Sequence, residues 1–249
     1  MRLSLSLMLG LALVLWPIAN TQAAELQVLA GAGIAVPLKE IAAQFENTSG
    51  HRIVIRFGTT PELIKMAAAG VFDLAIVPVD VFRDAPTRTQ FVPGPTPYVA
   101  RVGIGVAVRS GAPKPDISTP EALKQTLLKA QAIASIPASA TGTLLAGIYE
   151  RLGIAEEMKA KTKAQPGTAQ IIEAVVKGDA DLAVFLTNVL TDPRLDMVGP
   201  FPAEIQREVV YQAGAAASSK EQEAAKAFIA YLMSPAGAAV IKSKGMSPG

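Results

Sequence analysis

Gly70-Val71-Phe72-Asp73-Leu74-Ala75-Ile76-Val77 and Gly178-Asp179-Ala180-Asp181-Leu182-Ala183-Val184-Phe185 are two versions of one phrase, 108 residues apart. Four residues are identical, and the last two are apolar in both. Each reads as a glycine that stops a helix, followed by a buried strand. The same offset persists upstream. Thr60-Pro61-Glu62-Leu63-Ile64 lies opposite Thr168-Ala169-Gln170-Ile171-Ile172, and each Thr stands ten positions before the shared glycine. Each segment predicts a Thr-capped helix. Further upstream, Gly33 maps onto Thr141. Both sit in small-residue loops, Gly31-Ala32-Gly33 and Ser139-Ala140-Thr141-Gly142-Thr143, that follow apolar strand candidates and precede helical patterns.

The repeat predicts two βαβαβ halves. The first runs strand 26–30, helix 34–47, strand 52–57, helix 60–69, strand 73–77. The second runs strand 132–136, helix 141–152, a polar middle strand near 161–165, helix 168–177, strand 181–186. Alternation of this kind predicts an α/β fold of two similar lobes, each a mostly parallel sheet flanked by helices. Two further strand-like stretches, Arg101–Arg109 and Glu208–Ala215, follow Pro-rich loops and read as crossover segments between the lobes, with a ligand cleft between them. The tail is helical from Ser219 to Met233, is broken at Ser234-Pro235, and resumes to Lys242. The expected organisation is a signal peptide at 1–24, lobe 1 at 25–98 and 208–249, and lobe 2 at 99–207.

Composition narrows the chemistry. Of 249 residues, 50% are hydrophobic and 18% charged, with 23 Lys plus Arg against 21 Asp plus Glu. Balanced charge gives no support to nucleic-acid binding, which needs a basic face. The chain has no cysteine and one histidine, His51. Thiolate metal sites, disulfides and Cys nucleophiles are excluded, and no Ser-His-Asp set is credible. No Gly-x-Ser-x-Gly elbow appears either, and no cofactor is expected. Arg2, the apolar run Leu3–Ile18 and the small pair Ala23-Ala24 read as a cleaved secretory signal, since Pro17, Asn20, Thr21 and Gln22 follow the run instead of basic residues. Its removal leaves 22 basic against 21 acidic residues, a net charge of +1. Export without cysteines fits a bacterial periplasm.

Ligands of open parallel sheets bind outside the carboxyl ends of the strands. The repeat brings four helix starts there, near Gly33, Thr60, Thr141 and Thr168. A helix start offers unpaired N–H groups and a partial positive charge, so converging starts suit an anion. Thr59, Ser139 and Thr143 add hydroxyls, and Arg101 at the first crossover is a candidate cationic partner. Asp73 and Asp181 occupy equivalent places in both copies, which points to a structural role for the pair. Gly31-Ala32-Gly33 is only a fragment of a dinucleotide fingerprint, because position 36 is Val36.

The strand and loop Leu26–Gly33, the helix ending Ile41-Ala42-Ala43-Gln44-Phe45, and Phe57-Gly58-Thr59-Thr60 with its helix resemble a known family. Gly70…Asp73-Leu74 and the tail Ala227–Leu232 with Ser234-Pro235 extend the resemblance over nearly the whole mature chain. It is to periplasmic solute-binding proteins of the second structural type, close to the molybdate/tungstate-binding family of ABC importers. The resemblance implies capture of a small anionic solute between two lobes, delivery to a membrane permease, and a monomer. The family's first ligand Ser falls on Gly33 and its second on Thr60. Its backbone donors fall near Thr141 and Thr168, and its Tyr falls on Leu186, with Thr187 adjacent. Only Thr60 keeps a side-chain hydroxyl, so a small organic carboxylate is implied as readily as molybdate. The alternatives are a secreted enzyme acting on a small anion on the same scaffold, and a ligand sensor for a membrane receptor.

Overall fold

The computed structural model describes residues 23–249. The signal reading falls on residues 1–24, so residues 1–22 lie outside the described residues. The first half follows the expected order: β1 (Glu25–Gly31), a 3-10 turn at Ala32–Ile34, α1 (Ala35–Ser49), β2 (Arg52–Gly58), α2 (Thr60–Ala68) and β3 (Leu74–Pro78). Two short helices, α3 (Val79–Arg83) and α4 (Ala85–Arg88), lead to the long strand β4 (Tyr98–Arg109). The second half runs α5 (Pro120–Lys129), β5 (Ile133–Ser135), α6 (Ala140–Leu152), α7 (Ala155–Lys161), β6 (Thr162–Ala164), α8 (Thr168–Lys177), β7 (Leu182–Leu186) and β8 (Leu195–Pro200). The chain returns through β9 (Glu208–Ala215) and ends in α9 (Gln222–Leu232), α10 (Pro235–Ser243) and β10 (Ser247–Pro248).

The repeat glycines do what the sequence asks of them. Gly70 and Gly178 follow α2 and α8 with φ of 70° and 82°, the left-handed conformation that ends a helix and that a Cβ disfavours. The strands after them, β3 and β7, are buried along their whole length, as expected for strands covered on both faces.

The strands form one curled sheet in the order β2-β1-β3-β9-β4-β7-β5-β6, with β10 and β8 also paired to β4. Within each half the repeat strands are parallel: β1 with β2 and β3, and β5 with β6 and β7. The added strands are antiparallel. Strand β9 lies against β3, and β4 lies against β9 through Gly103 and against β7 from Ile104. One strand therefore belongs to both halves and changes partner between Gly103 and Ile104. At that point the Gln206 side-chain amide acts as a strand edge. Its Oε1 accepts from Ile104 N–H at 3.0 Å, and its Nε2 donates to Ile104 O at 2.9 Å. The stretch read as the second crossover is β9, which pairs with β3 and β4 and is reached from β8 through residues 201–207.

Apolar side chains fill both faces. Leu26, Val28, Ala30, Ile34, Leu38, Ile41 and Phe45 pack with the tail residues Phe228, Leu232 and Ile241 in one cluster that continues into the second half through Ile136, Phe185 and Leu186. Ile104, Val106, Leu123, Leu127, Ile148 and Met158 form the core of the second half's other face. Phe72, Phe82 and Phe91 close the opposite face of the first, with ring centroids 5.5 and 4.4 Å apart along the chain of contacts.

Candidate functional site

The carboxyl ends of β1, β2 and β5 release three loops that face one another. Gly31, Ala32 and Gly33 come from the first, Gly58, Thr59 and Thr60 from the second, and Ser139, Ala140 and Thr141 from the third. With Pro78, Ile136, Phe185, Leu186, Val209 and Tyr211 they enclose a cavity of ≈30 Å³ between the halves. A single water needs roughly 10–15 Å³ of such space, so the room between the loops is small. Larger clefts lie elsewhere. One of ≈700 Å³ sits within the second half and takes in the end of α8 and the first turn of α5, where the Thr119 hydroxyl already accepts from Ala122 N–H.

Each loop is shaped by its own capping chemistry. At α2, the Glu62 carboxylate reaches back and accepts from Thr59 N–H at 2.7 Å and from the Thr59 hydroxyl at 2.8 Å. These bonds hold the Glu62 carboxyl below the usual glutamate range, backbone donor first and hydroxyl second. The Thr59 proton is therefore spent on Glu62. Thr60 is the first helical residue, and its Oγ1 is buried with no hydrogen-bond partner. Pro61 has no N–H, and Leu63 N–H bonds to Thr59 O, so α2 offers the cavity Thr60 above all.

At α6, the Ser139 hydroxyl donates to Ile136 O at 2.6 Å and accepts from Gly142 N–H at 3.1 Å. Thr143 N–H takes Ser139 O. That leaves Ala140 and Thr141 as the first-turn N–H groups, with Thr141 only 2% exposed. Ser139 is a cap, as Thr59 is; Thr60, Thr141 and Tyr211 are the hydroxyl residues left for a ligand.

The cavity lining has no Lys, Arg, Asp or Glu. Its polarity comes from helix starts and hydroxyls, which suits a negative charge without a counter-cation.

Of the residues singled out from the sequence, Gly33, Thr59, Thr60 and Thr141 meet at this cavity, and Thr168, Thr187 and Arg101 do not line it. Arg101 is exposed on β4, paired with Val210 and Ser247. Thr187 is spent on β4, its N–H donating to Gly103 O at 3.0 Å and its methyl lying against Gly105. Thr168 opens α8 behind Gly167, after a strand of only three residues. The residues that sequence reasoning passes over are Tyr211 and Asn188. Asn188 Nδ2 donates to Gly33 O at 2.8 Å, a direct bond from the second half to the first cavity loop. Tyr211 is fully buried against Gly31 and Gly33. Its signal in the sequence is its register: Val209, Tyr211 and Ala213 form the buried face of β9.

Two lobe-like halves, a shared sheet and a cavity of helix starts between them define a solute-binding protein. The chain belongs to the bacterial extracellular solute-binding protein family, which it matches over residues 26–247. It is 32% identical over 232 residues to an aconitate isomerase of Pseudomonas sp, covering 90% of this chain and 87% of that one. It is 28% identical over 228 residues to the molybdate-binding protein ModA of Azotobacter vinelandii, covering 90% of each. The solved structure of a periplasmic molybdate-binding protein from Azotobacter vinelandii superposes with a TM-score of 0.75 at 19% identity, over 90% of this chain and 99% of that one. The resemblance to the molybdate/tungstate type holds, and the fold is that of periplasmic binding proteins.

Proposed function

We propose that the protein captures a small anion between lobe 1 (25–98 with 208–249) and lobe 2 (99–207) and delivers it to the permease of an ABC importer. The mature chain then works as a monomer in the periplasm, after loss of residues 1–24. The observation that carries this reading is a cavity between the halves lined by the starts of α2 and α6 and by hydroxyls, with no charged side chain. Its size favours a compact oxyanion, such as molybdate, or a small carboxylate. A larger anion needs the lobes further apart.

Isothermal calorimetry of the mature protein against molybdate, tungstate, sulfate, phosphate and small carboxylates tests it. At least one anion binds, and Thr60→Ala weakens that anion by roughly 10- to 100-fold, the worth of one hydrogen bond to a charged group. Absence of binding across the panel removes the reading.

A second reading, isomerisation of an unsaturated carboxylate, is favoured by one observation, the 32% identity to aconitate isomerase. Against it, the cavity lining offers no carboxylate, imidazole or amine to move a proton. Incubation of the protein with aconitate, followed by proton NMR, separates the two. No turnover is the expected result, and isomerised product establishes the second reading.

A further inference from the structure

We infer that Tyr211 is the ligand-binding hydroxyl that takes the place of the missing side chain at residue 33, so that a donor expected from the first loop is delivered by the return strand β9. This inference rests on the anion-capture reading above.

The geometry is specific. In the sheet, Tyr211 lies beside Pro78, the last residue of β3. Its ring crosses the end of that strand toward the loop after β1. A Cβ at Gly31 would sit 2.8 Å from Tyr211 Cε1 and 3.2 Å from Pro78 Cδ. A Cβ at Gly33 would overlap the Tyr211 hydroxyl oxygen and Leu186 Cδ1. The ring thus lies over two positions that lack side chains, two residues apart, and its hydroxyl stands in the volume that any residue-33 side chain would occupy. Leu186 can turn its terminal methyl aside. The Tyr211 hydroxyl is fixed to a rigid ring and moves only if the ring does.

Residue 33 is where the resemblance implies a ligand Ser, and Leu186 is where it implies a ligand Tyr. Both side-chain donors are absent from those positions, and the Tyr211 hydroxyl shares the residue-33 side-chain volume with Leu186 Cδ1. Tyr211 is 2% exposed and lines the cavity. Full burial pushes its phenol above the ordinary tyrosine range, so it stays protonated and able to donate at any physiological pH. With Thr60 and the N–H groups of Ala140 and Thr141, it brings donors from both halves onto one small volume.

The test uses Tyr211→Phe, Gly33→Ser and the double variant, with Thr60→Ala alongside, in calorimetry against whichever of molybdate, tungstate, sulfate, phosphate, formate and acetate the wild type binds most tightly. Tyr211→Phe keeps the ring packing and loses only the hydroxyl. Its affinity falls by roughly 10- to 100-fold with an unchanged near-ultraviolet circular dichroism spectrum. Gly33→Ser loses more, because its Cβ meets the tyrosine hydroxyl. The double variant moves the hydroxyl back to the first loop and regains roughly tenfold or more over Gly33→Ser. Tyr211→Phe within about twofold of wild type, beside a weakened Thr60→Ala, overturns the inference and leaves the anion reading standing. A double variant no better than Gly33→Ser also overturns it. A wild type that binds nothing in the panel, oxyanion or carboxylate, overturns both.

Discussion

Glu62 does not line the cavity, yet it decides what Thr59 can do there. Its carboxylate holds the Thr59 N–H and hydroxyl together, which fixes the start of α2 and leaves Thr60 as the free donor. Its folded pKa is depressed, so its stabilising contribution is present above the ordinary glutamate value and is lost as pH falls through the lower folded value. Glu62→Gln keeps the capping acceptor and loses only a solvent-screened charge, so it lowers stability at neutral pH by about 0.5 kcal/mol. Urea denaturation at a series of pH values shows variant and wild type converging as the medium is acidified. At this scale the threonines were legible because capping has a local signature: a Thr at the start of an apolar stripe, with Glu62 three residues after Thr59. The assignment of ligand hydroxyls was less so. Thr59 and Ser139 carry the right group and have spent it on their own loops. Tyr211 lies about 180 residues beyond the glycines it covers, and no periodicity links them.

The paired aspartates show what the repeat means for the elements. Asp73 Oδ2 accepts from Gln27 N–H at 2.7 Å and its Oδ1 accepts from the Ser219 hydroxyl at 2.6 Å. Asp181 Oδ2 accepts from Gln131 N–H at 2.5 Å and Ala132 N–H at 3.3 Å. In each half the carboxylate ties the start of one parallel strand to the next. Asp73→Ala leaves the part-buried Gln27 N–H without its partner and costs about 1–3 kcal/mol in chemical denaturation, while Asp181→Ala, whose Gln131 donor is open to water, costs about 0.5–1 kcal/mol. Anion affinity measured on the folded variants stays at the wild-type value, because the clasps lie at the opposite ends of the strands from the cavity. The repeat made both βαβαβ halves legible within one to three residues per element, since parallel strands buried on both faces read as apolar runs. Outside the repeat, β4, β9, α9 and α10 were legible from their apolar runs and from the break at Ser234-Pro235, whereas α3, α4, α5 and β8 were not. Helix α5 shows a stripe of only two buried residues, Leu123 and Leu127, and α3 and α4 are single turns. Strand β8 is half-buried, with no alternation to mark it.

At the scale of the whole molecule, the halves are joined in two ways. The Asn188 amide grips Gly33 O, and Gln206 completes the backbone pairing of β4 where it changes partner. The first bond ties the second half to a loop that lines the cavity. Asn188→Ala weakens anion binding by about two- to tenfold through loss of one interlobe hydrogen bond. Small-angle scattering of the liganded variant then shows a larger radius of gyration than the wild type under the same conditions. Strand β4 has a further consequence. Up to Gly103 it runs between β9 and β10, and beyond Ile104 between β7 and β8. It is an inner strand twice over, so neither half can melt without stripping the other of part of its centre. Scanning calorimetry of the unliganded protein gives one heat-absorption peak, with calorimetric and van't Hoff enthalpies in agreement, where two self-sufficient lobes would give two. The strand that carries the chain from one half to the other is also what makes the protein lose its structure all at once.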